Sequence, residues 1–237
     1  MSCSSYKNSL EKIYMQNLPK TRLIVFDWDG TLFDSTGVIA HSLQKACEAL
    51  GMAAPTTQEA KHVIGLGFNE AIEQLVGPLN AEQSAAFMTA YRRNYFAGES
   101  LVTLYDGILD LLNGLQQQGR LMAVATGKSR AGLNRVLLDG HLRPYFDATR
   151  TADETASKPH PQMLLELLDE LEVPPHQAVM VGDTTYDIDM ANAAGMASIA
   201  VKYGAHDEKL LLASRPTVVV HDVNTLTKVL GVQKALL

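Results

Sequence analysis

Cysteine is scarce in this 237-residue chain, which carries only Cys3 and Cys47. Two thiols cannot build the disulfide framework of a small secreted domain. Neither has the neighbours of a nucleophilic cysteine, and Cys47 lies in a helical pattern where a buried, inert thiol is expected. Long apolar runs are also missing. No stretch approaches the ~20 consecutive apolar residues of a membrane-spanning helix. Basic charge is in the minority, with 20 Lys and Arg against 26 Asp and Glu and a formal net charge of −6. That balance argues against a broad nucleic-acid surface, which needs clustered Lys and Arg. It leaves room for an anionic substrate, because a metal ion and one or two basic residues can reverse the potential locally. Residues 1–20 mix Lys7, Glu11, Lys12 and Lys20 and lack the apolar core and small-residue cleavage site of a signal peptide. The expectation is a cytoplasmic protein with an N-terminal extension over residues 1–20. Internal repeats and low-complexity tracts are absent.

What is present is a globular composition, 46% hydrophobic, in a length that suits one large domain or a core carrying a smaller insertion. Short apolar runs recur at Arg22–Phe26, Leu121–Ala125, Ala178–Val181, Ala197–Val201 and Val218–Val220. Such runs suit strands buried on both faces of a parallel sheet. Helical patterns at Ser129–Leu138, Pro161–Leu171 and Tyr186–Ala194 separate the later ones, which predicts βαβ units with helices on both sides. One interval departs from this alternation. From about Thr36 to Thr103 only helical stretches appear, three of them closed by Gly51, Gly65 and Gly77. The predicted fold is α/β: a Rossmann-like parallel-sheet core over residues 21–35 and 104–237, with a small α-helical domain inserted at 36–103. Tyr105-Asp106-Gly107 reads as the return into the core, with Asp106 expected to cap the next helix.

In open parallel sheets ligands bind beyond the carboxyl ends of the strands. Asp27 and Asp29 follow the first run, and Thr126-Gly127-Lys128-Ser129 follows the second. Gly182, Asp183 and then Asp187 follow the third, and Lys158 comes from the loop Ser157-Lys158-Pro159. Carboxylates, a hydroxyl and an ammonium are therefore expected at one sheet edge, and each suits phosphoryl transfer. A carboxylate can act as nucleophile through an aspartyl-phosphate. Two anions approaching each other need charge cancellation, which Mg²⁺ on carboxylate oxygens provides. An ammonium, a hydroxyl and backbone N–H groups can hold the transferring oxygens. A second carboxylic acid can protonate the leaving oxygen and then activate water.

Asp27-Trp28-Asp29-Gly30-Thr31, Thr126, Lys158 and Gly182-Asp183-Thr184-Thr185-Tyr186-Asp187 together resemble, in order and spacing, the four motifs of the haloacid dehalogenase superfamily. The resemblance runs from about residue 22 to the C-terminus and is closest to phosphoglycolate phosphatase and its relatives. It implies Asp27 as nucleophile and metal ligand, and Asp29 as general acid/base with its backbone carbonyl on the metal. Thr126, Gly127 and Lys158 would bind the phosphoryl group, Lys158 also stabilising Asp27. Asp183 would be the acidic metal ligand, and Asp187 would support the metal directly or through water. The helical insertion matches the family's cap, which closes over the site. An acid at Asp29 implies an ordinary phosphate ester, since the dehalogenases of this superfamily keep none there.

The resemblance therefore implies Mg²⁺-dependent hydrolysis of a small phosphorylated metabolite, phosphoglycolate being the leading substrate, by a monomer or homodimer. A sugar phosphomutase would use the same intermediate but return the phosphoryl group to substrate. A pyrophosphatase or nucleotidase of the superfamily also fits these motifs, and a catalytically silent binding module fits them least. Lys128 and Arg130 are further candidates for touching substrate, and Arg92, Arg93, Asn69 and His62 for setting specificity, each with surface or core duty as the plainer reading.

Overall fold

The apolar runs become strands of one sheet in the computed structural model, which describes residues 18–232. The strands are β1 (Leu23–Phe26), β4 (Leu121–Thr126), β5 (Ala148–Thr151), β6 (Ala178–Gly182), β7 (Ala197–Val201) and β8 (Val218–Val220). Their order is β5-β4-β1-β6-β7-β8, and every neighbouring pair is parallel. β1 lies between β4 and β6, so the chain fills one side of the sheet from β1 outward and then the other. The topological switch point, where a parallel sheet opens a crevice, is therefore at the end of β1.

Period-two alternation assigns each strand residue to one of two apolar layers. Ile24, Phe26, Met122, Val124, Val179 and Val181 face the layer that holds α5 (Ile108–Gln117), α6 (Arg130–Asp139) and α10 (Val223–Val229). Leu23, Val25, Ala123, Ala125 and Met180 face the opposite layer with α7 (Gln162–Glu170) and α8 (Thr185–Ala193). Each fully buried Leu or Ile in these layers contributes about 1.5–3 kcal/mol. A remaining helix, α9 (Glu208–Ala213), packs Leu211 beside β7 and β8.

β5 is a strand that no apolar run announces. Its sequence is Ala-Thr-Arg-Thr, and as an edge strand it buries only Ala148 and Thr151. The capping expectation at Asp106 is corrected: helix α5 starts from Gly107, in a left-handed conformation (φ +87°) with no side-chain cap. A carboxylate cap is unnecessary because glycine adopts that turn without strain.

Between β1 and α5 the chain makes a helical excursion: α1 (Thr36–Ala49), α2 (Thr57–His62), α3 (Phe68–Val76) and α4 (Ala81–Gly98). These pack on a separate apolar cluster that includes Ile39, Leu43, Val63, Ile72 and Phe87, with Cys47 buried in it. The two crossings are tied together, since β2 (Phe33–Asp34) pairs antiparallel with β3 (Thr103–Leu104). At the far end of the sheet Leu18 is buried in the core. There Arg120 donates to the carbonyls of Leu18, Thr21 and Leu230, anchoring the lead-in to the last helix. Residues 1–17, most of the predicted extension and Cys3 with it, lie outside the described residues. Among those described, no helix is long and apolar enough to cross a membrane.

Candidate active site

Asp27 follows β1 directly and its N–H donates to the Val181 carbonyl of β6, which fixes it at the switch point. Lys158, fully buried, reaches the same place from the loop before α7. Its Nζ lies 2.7 Å from Asp27 Oδ1 and 2.7 Å from Asp187 Oδ1. Asp187 is held in turn by its own helix start. Thr184 caps α8, and Asp187 Oδ2 accepts from the Thr184 N–H (3.1 Å) and hydroxyl (2.7 Å), a reciprocal capping box. Asp183, between β6 and α8, accepts from the Thr31 hydroxyl (2.8 Å) and the Ala205 N–H (2.7 Å). Gly30 has φ +79°, and a Cβ there would overlap Asp183 Oδ2, so glycine is required twice over.

One carboxylate oxygen each from Asp27, Asp183 and Asp187 lies within 4.8 Å of the others, all buried. Among the described residues only one ammonium, that of Lys158, is in contact with the group. With all three carboxylates ionised, two negative charges would be left over. Burial pushes the Asp27 carboxyl well above its ordinary value; Lys158 opposes this, and the charges of Asp187 and Asp183 add to it. Burial, then the Asp187 charge, raises Asp183 to about 7 against the Ala205 and Thr31 hydrogen bonds. Lys158 is held charged: burial disfavours its ammonium, but Asp187 and Asp27 outweigh that and raise its pKa. Asp27 Oδ2 is buried and has no hydrogen-bond partner among the described residues. An orphaned oxygen beside an all-oxygen cluster short of positive charge fits a divalent cation such as Mg²⁺.

Asp29 stands apart from this cluster. Its Oδ1 accepts from Ser35 Oγ (2.7 Å), and its Oδ2 pairs with Lys128 Nζ (2.9 Å). Thr126 is buried at the end of β4 and its Oγ1 accepts from the Lys128 N–H at 3.2 Å, shaping the turn through Gly127. That turn lies directly under the helical excursion. A Cβ on Gly127 would overlap the carbonyl oxygen of Leu66 and crowd that of Gly65, both backbone atoms. Gly127→Ala is therefore expected to push the 65–67 segment off the core and lower kcat/KM about tenfold or more. Steady-state kinetics with a soluble phosphate ester, alongside a melting curve to verify folding, checks this; unchanged kinetics would contradict it.

Three more contacts close the excursion over the core. The Gly67 N–H donates to Ser157 Oγ (2.8 Å), Tyr186 Oη donates to the His62 carbonyl (3.0 Å), and His206 Nε2 lies 3.0 Å from the same carbonyl. Between the excursion and the core is a cavity of about 420 Å³ whose floor includes Asp27, Asp29, Thr126, Gly127 and Lys128.

The structure thus gathers Asp27, Lys158, Asp183 and Asp187 into one cluster, with Asp29, Thr126 and Gly127 on the adjoining cavity floor. Lys128 reaches the cavity; Arg130 does not, being bonded to Thr149 and Glu154. Of the specificity candidates Arg92 lines the cavity. Arg93 and Asn69 are exposed elsewhere, and His62 borders a different hollow. Thr31, Ser35, Ser157 and the Ala205 N–H also serve the site, and no sequence signal marks their roles. Thr184 was findable, since Thr-x-x-Asp ahead of an apolar stretch is a capping signature.

Comparison with known proteins identifies the family. Residues 24–201 match the family profile described as haloacid dehalogenase-like hydrolase. The probable phosphatase IndB of Dickeya dadantii is 34% identical over 220 residues, covering 91% of this chain and 94% of its own. A phosphoglycolate phosphatase of Aliivibrio fischeri is 32% identical over 222 residues, covering 90% and 98%. A crystal structure described as a predicted phosphoglycolate phosphatase from Haemophilus somnus superposes with a TM-score of 0.78. It is 25% identical and covers 89% of this chain and 98% of its own.

Proposed function

The chain belongs to the haloacid dehalogenase-like hydrolase family and is one of its phosphatases, and we propose that it hydrolyses a small phosphate monoester through a phosphoryl group carried on Asp27. The observation that carries this reading is Asp27 itself. One of its oxygens is held by Lys158 and the other is free, beside two further buried carboxylates at the switch point.

On this reading residues 21–35 and 104–237 form the catalytic core, and 36–103 form a cap that excludes water from the reacting centre. Asp27, Asp183 and the Asp29 carbonyl would hold Mg²⁺. Asp187 serves the site chiefly by fixing Lys158, since both its oxygens already accept hydrogen bonds. Bound there, Mg²⁺ would offset the repulsion between the carboxylate nucleophile and the phosphoryl oxygens.

The Asp27 carboxylate attacks phosphorus as the bond to the leaving oxygen breaks, and Asp29 gives its proton to that oxygen. Asp29 then takes a proton from water, whose oxygen attacks the aspartyl-phosphate, releasing phosphate and restoring Asp27. Thr126, the Gly127 N–H and Lys158 bind the phosphoryl oxygens. Lys128 and Ser35 keep the Asp29 carboxyl on the cavity floor.

The test is phosphate release from a panel of phosphate monoesters, with and without Mg²⁺. Release that depends on Mg²⁺ is expected. Because Asp183 must lose its proton to serve a cation, half-activation should need more Mg²⁺ below pH about 7. No Mg²⁺-dependent release from any ester would sink the reading. Conversion of a sugar 1-phosphate to its 6-phosphate without release would favour a mutase instead.

A further inference from the structure

The cavity above the site is unlike a pocket for a small, highly charged acid. Its upper wall is apolar and aromatic: Ile39 and Leu43 from α1, and Phe68, Met88, Tyr91 and Tyr95 from α3 and α4. The rings form a continuous series. Phe68 and Tyr91 have centroids 5.5 Å apart, and Tyr91 and Tyr95 lie 6.0 Å apart. At about 420 Å³ the space is in the range of ligand pockets of roughly 300–1,000 Å³, larger than a phosphorylated two-carbon acid needs.

Two of the three cations lining the cavity are already committed. Lys128 pairs with Asp29 and lies 5.4 Å from the Tyr95 ring centroid. Arg135 bonds Glu99 and stacks over Phe96 at 4.5 Å. Arg92 has no ion-pair partner among the described residues, but it is exposed to solvent. A substrate carboxylate pushed against this wall would lose water without gaining a buried partner.

We propose, resting on the hydrolysis reading above, that the preferred substrate is a phosphomonoester of an aryl-bearing alcohol, its ring seated against Phe68, Tyr91 and Tyr95 and its phosphate over Asp27. Offset and edge-on packing against those rings supplies the recognition, and burial of the ring adds to it.

The experiment compares 2-phenylethyl phosphate with ethyl phosphate and phosphoglycolate. All three are alkyl esters, so leaving-group acidity does not decide the ranking. With the full chain and Mg²⁺, kcat/KM for the phenylethyl ester should exceed both others by at least ~10-fold, the size expected for burying an aromatic ring. Phosphoglycolate equal or superior overturns the proposal while leaving hydrolysis intact. A second arm reads binding without turnover: melting-temperature shifts with 3-phenylpropylphosphonate and 3-phosphonopropionate, the matching phosphonates. The aryl compound should shift the protein more at equal concentration, and the reverse order overturns the proposal. If none of the three esters is hydrolysed but the aryl phosphonate shifts more, the pocket assignment stands and the hydrolysis reading falls. Met88→Lys places a cation in the half-buried wall and should reduce the phenylethyl-to-glycolate ratio at least ~10-fold; an unchanged ratio counts against the proposed seat.

Discussion

Asp27→Asn is expected to lower kcat by at least ~10⁴-fold and leave the folded protein no less stable. The size follows from losing the nucleophile, whose removal takes away the covalent route rather than one contact within it. The stability half follows from the charge surroundings. Asp27 is buried beside Asp183 and Asp187, and its ionised form is disfavoured there. Asparagine is neutral and keeps an oxygen in the Oδ1 position to accept from Lys158, whose second partner, Asp187, is untouched. In the presence of EDTA the variant should therefore melt at or above the wild-type temperature. Adding Mg²⁺ should stabilise the wild type more than the variant, because the variant lacks one anionic ligand. Turnover of an aryl phosphate, with paired melts in EDTA and Mg²⁺, reads all three quantities. Near wild-type turnover by a verified Asn variant would remove Asp27 from the mechanism.

Why so much of this site is legible in the sequence is a property of parallel sheets. Strands buried on both faces appear as unbroken apolar runs, and the residues following them must gather at one edge. Asp27, Asp29, Thr126 and Asp183 all follow such runs and are legible from them, with no family likeness needed. Lys158 needs the likeness, since a lysine in a loop has no periodicity to place it. The edge strand β5 is invisible because half-exposed Thr149 and Arg150 break the apolar signal. The cavity wall is hidden for another reason. Tyr91 and Tyr95 stand four residues apart and so share a face of one helix, which the sequence does display. What that face covers is decided by how α4 folds back over the Gly127 turn. The contact between Gly127 and the carbonyls of Gly65 and Leu66 joins segments about sixty residues apart, and no local pattern encodes it.

Lys158→Met should be the most destabilising single change in the site. The ammonium is wholly buried, 2.7 Å from an oxygen of Asp27 and 2.7 Å from one of Asp187. Methionine fills much the same volume but leaves three buried carboxylates with no cation in contact. Removing one partner of a buried ion pair costs about 3–5 kcal/mol, which for a chain of this size corresponds to a loss of roughly 6–20 °C in Tm. The loss should be largest in EDTA and smaller in excess Mg²⁺, because a bound divalent cation replaces part of the missing charge. It should also shrink in the double variant Asp27→Asn, Lys158→Met, in which one of the stranded charges is gone. Activity should fall steeply in the single variant even where Mg²⁺ restores the fold, because the phosphoryl group loses a cationic contact that the metal cannot supply from the same direction. Thermal melts of the two variants in both conditions separate these effects. A Lys158→Met protein melting within a degree or two of wild type in EDTA would mean that the carboxylates are already neutralised by protons. Lys158 would then not be the charge that holds the cluster together.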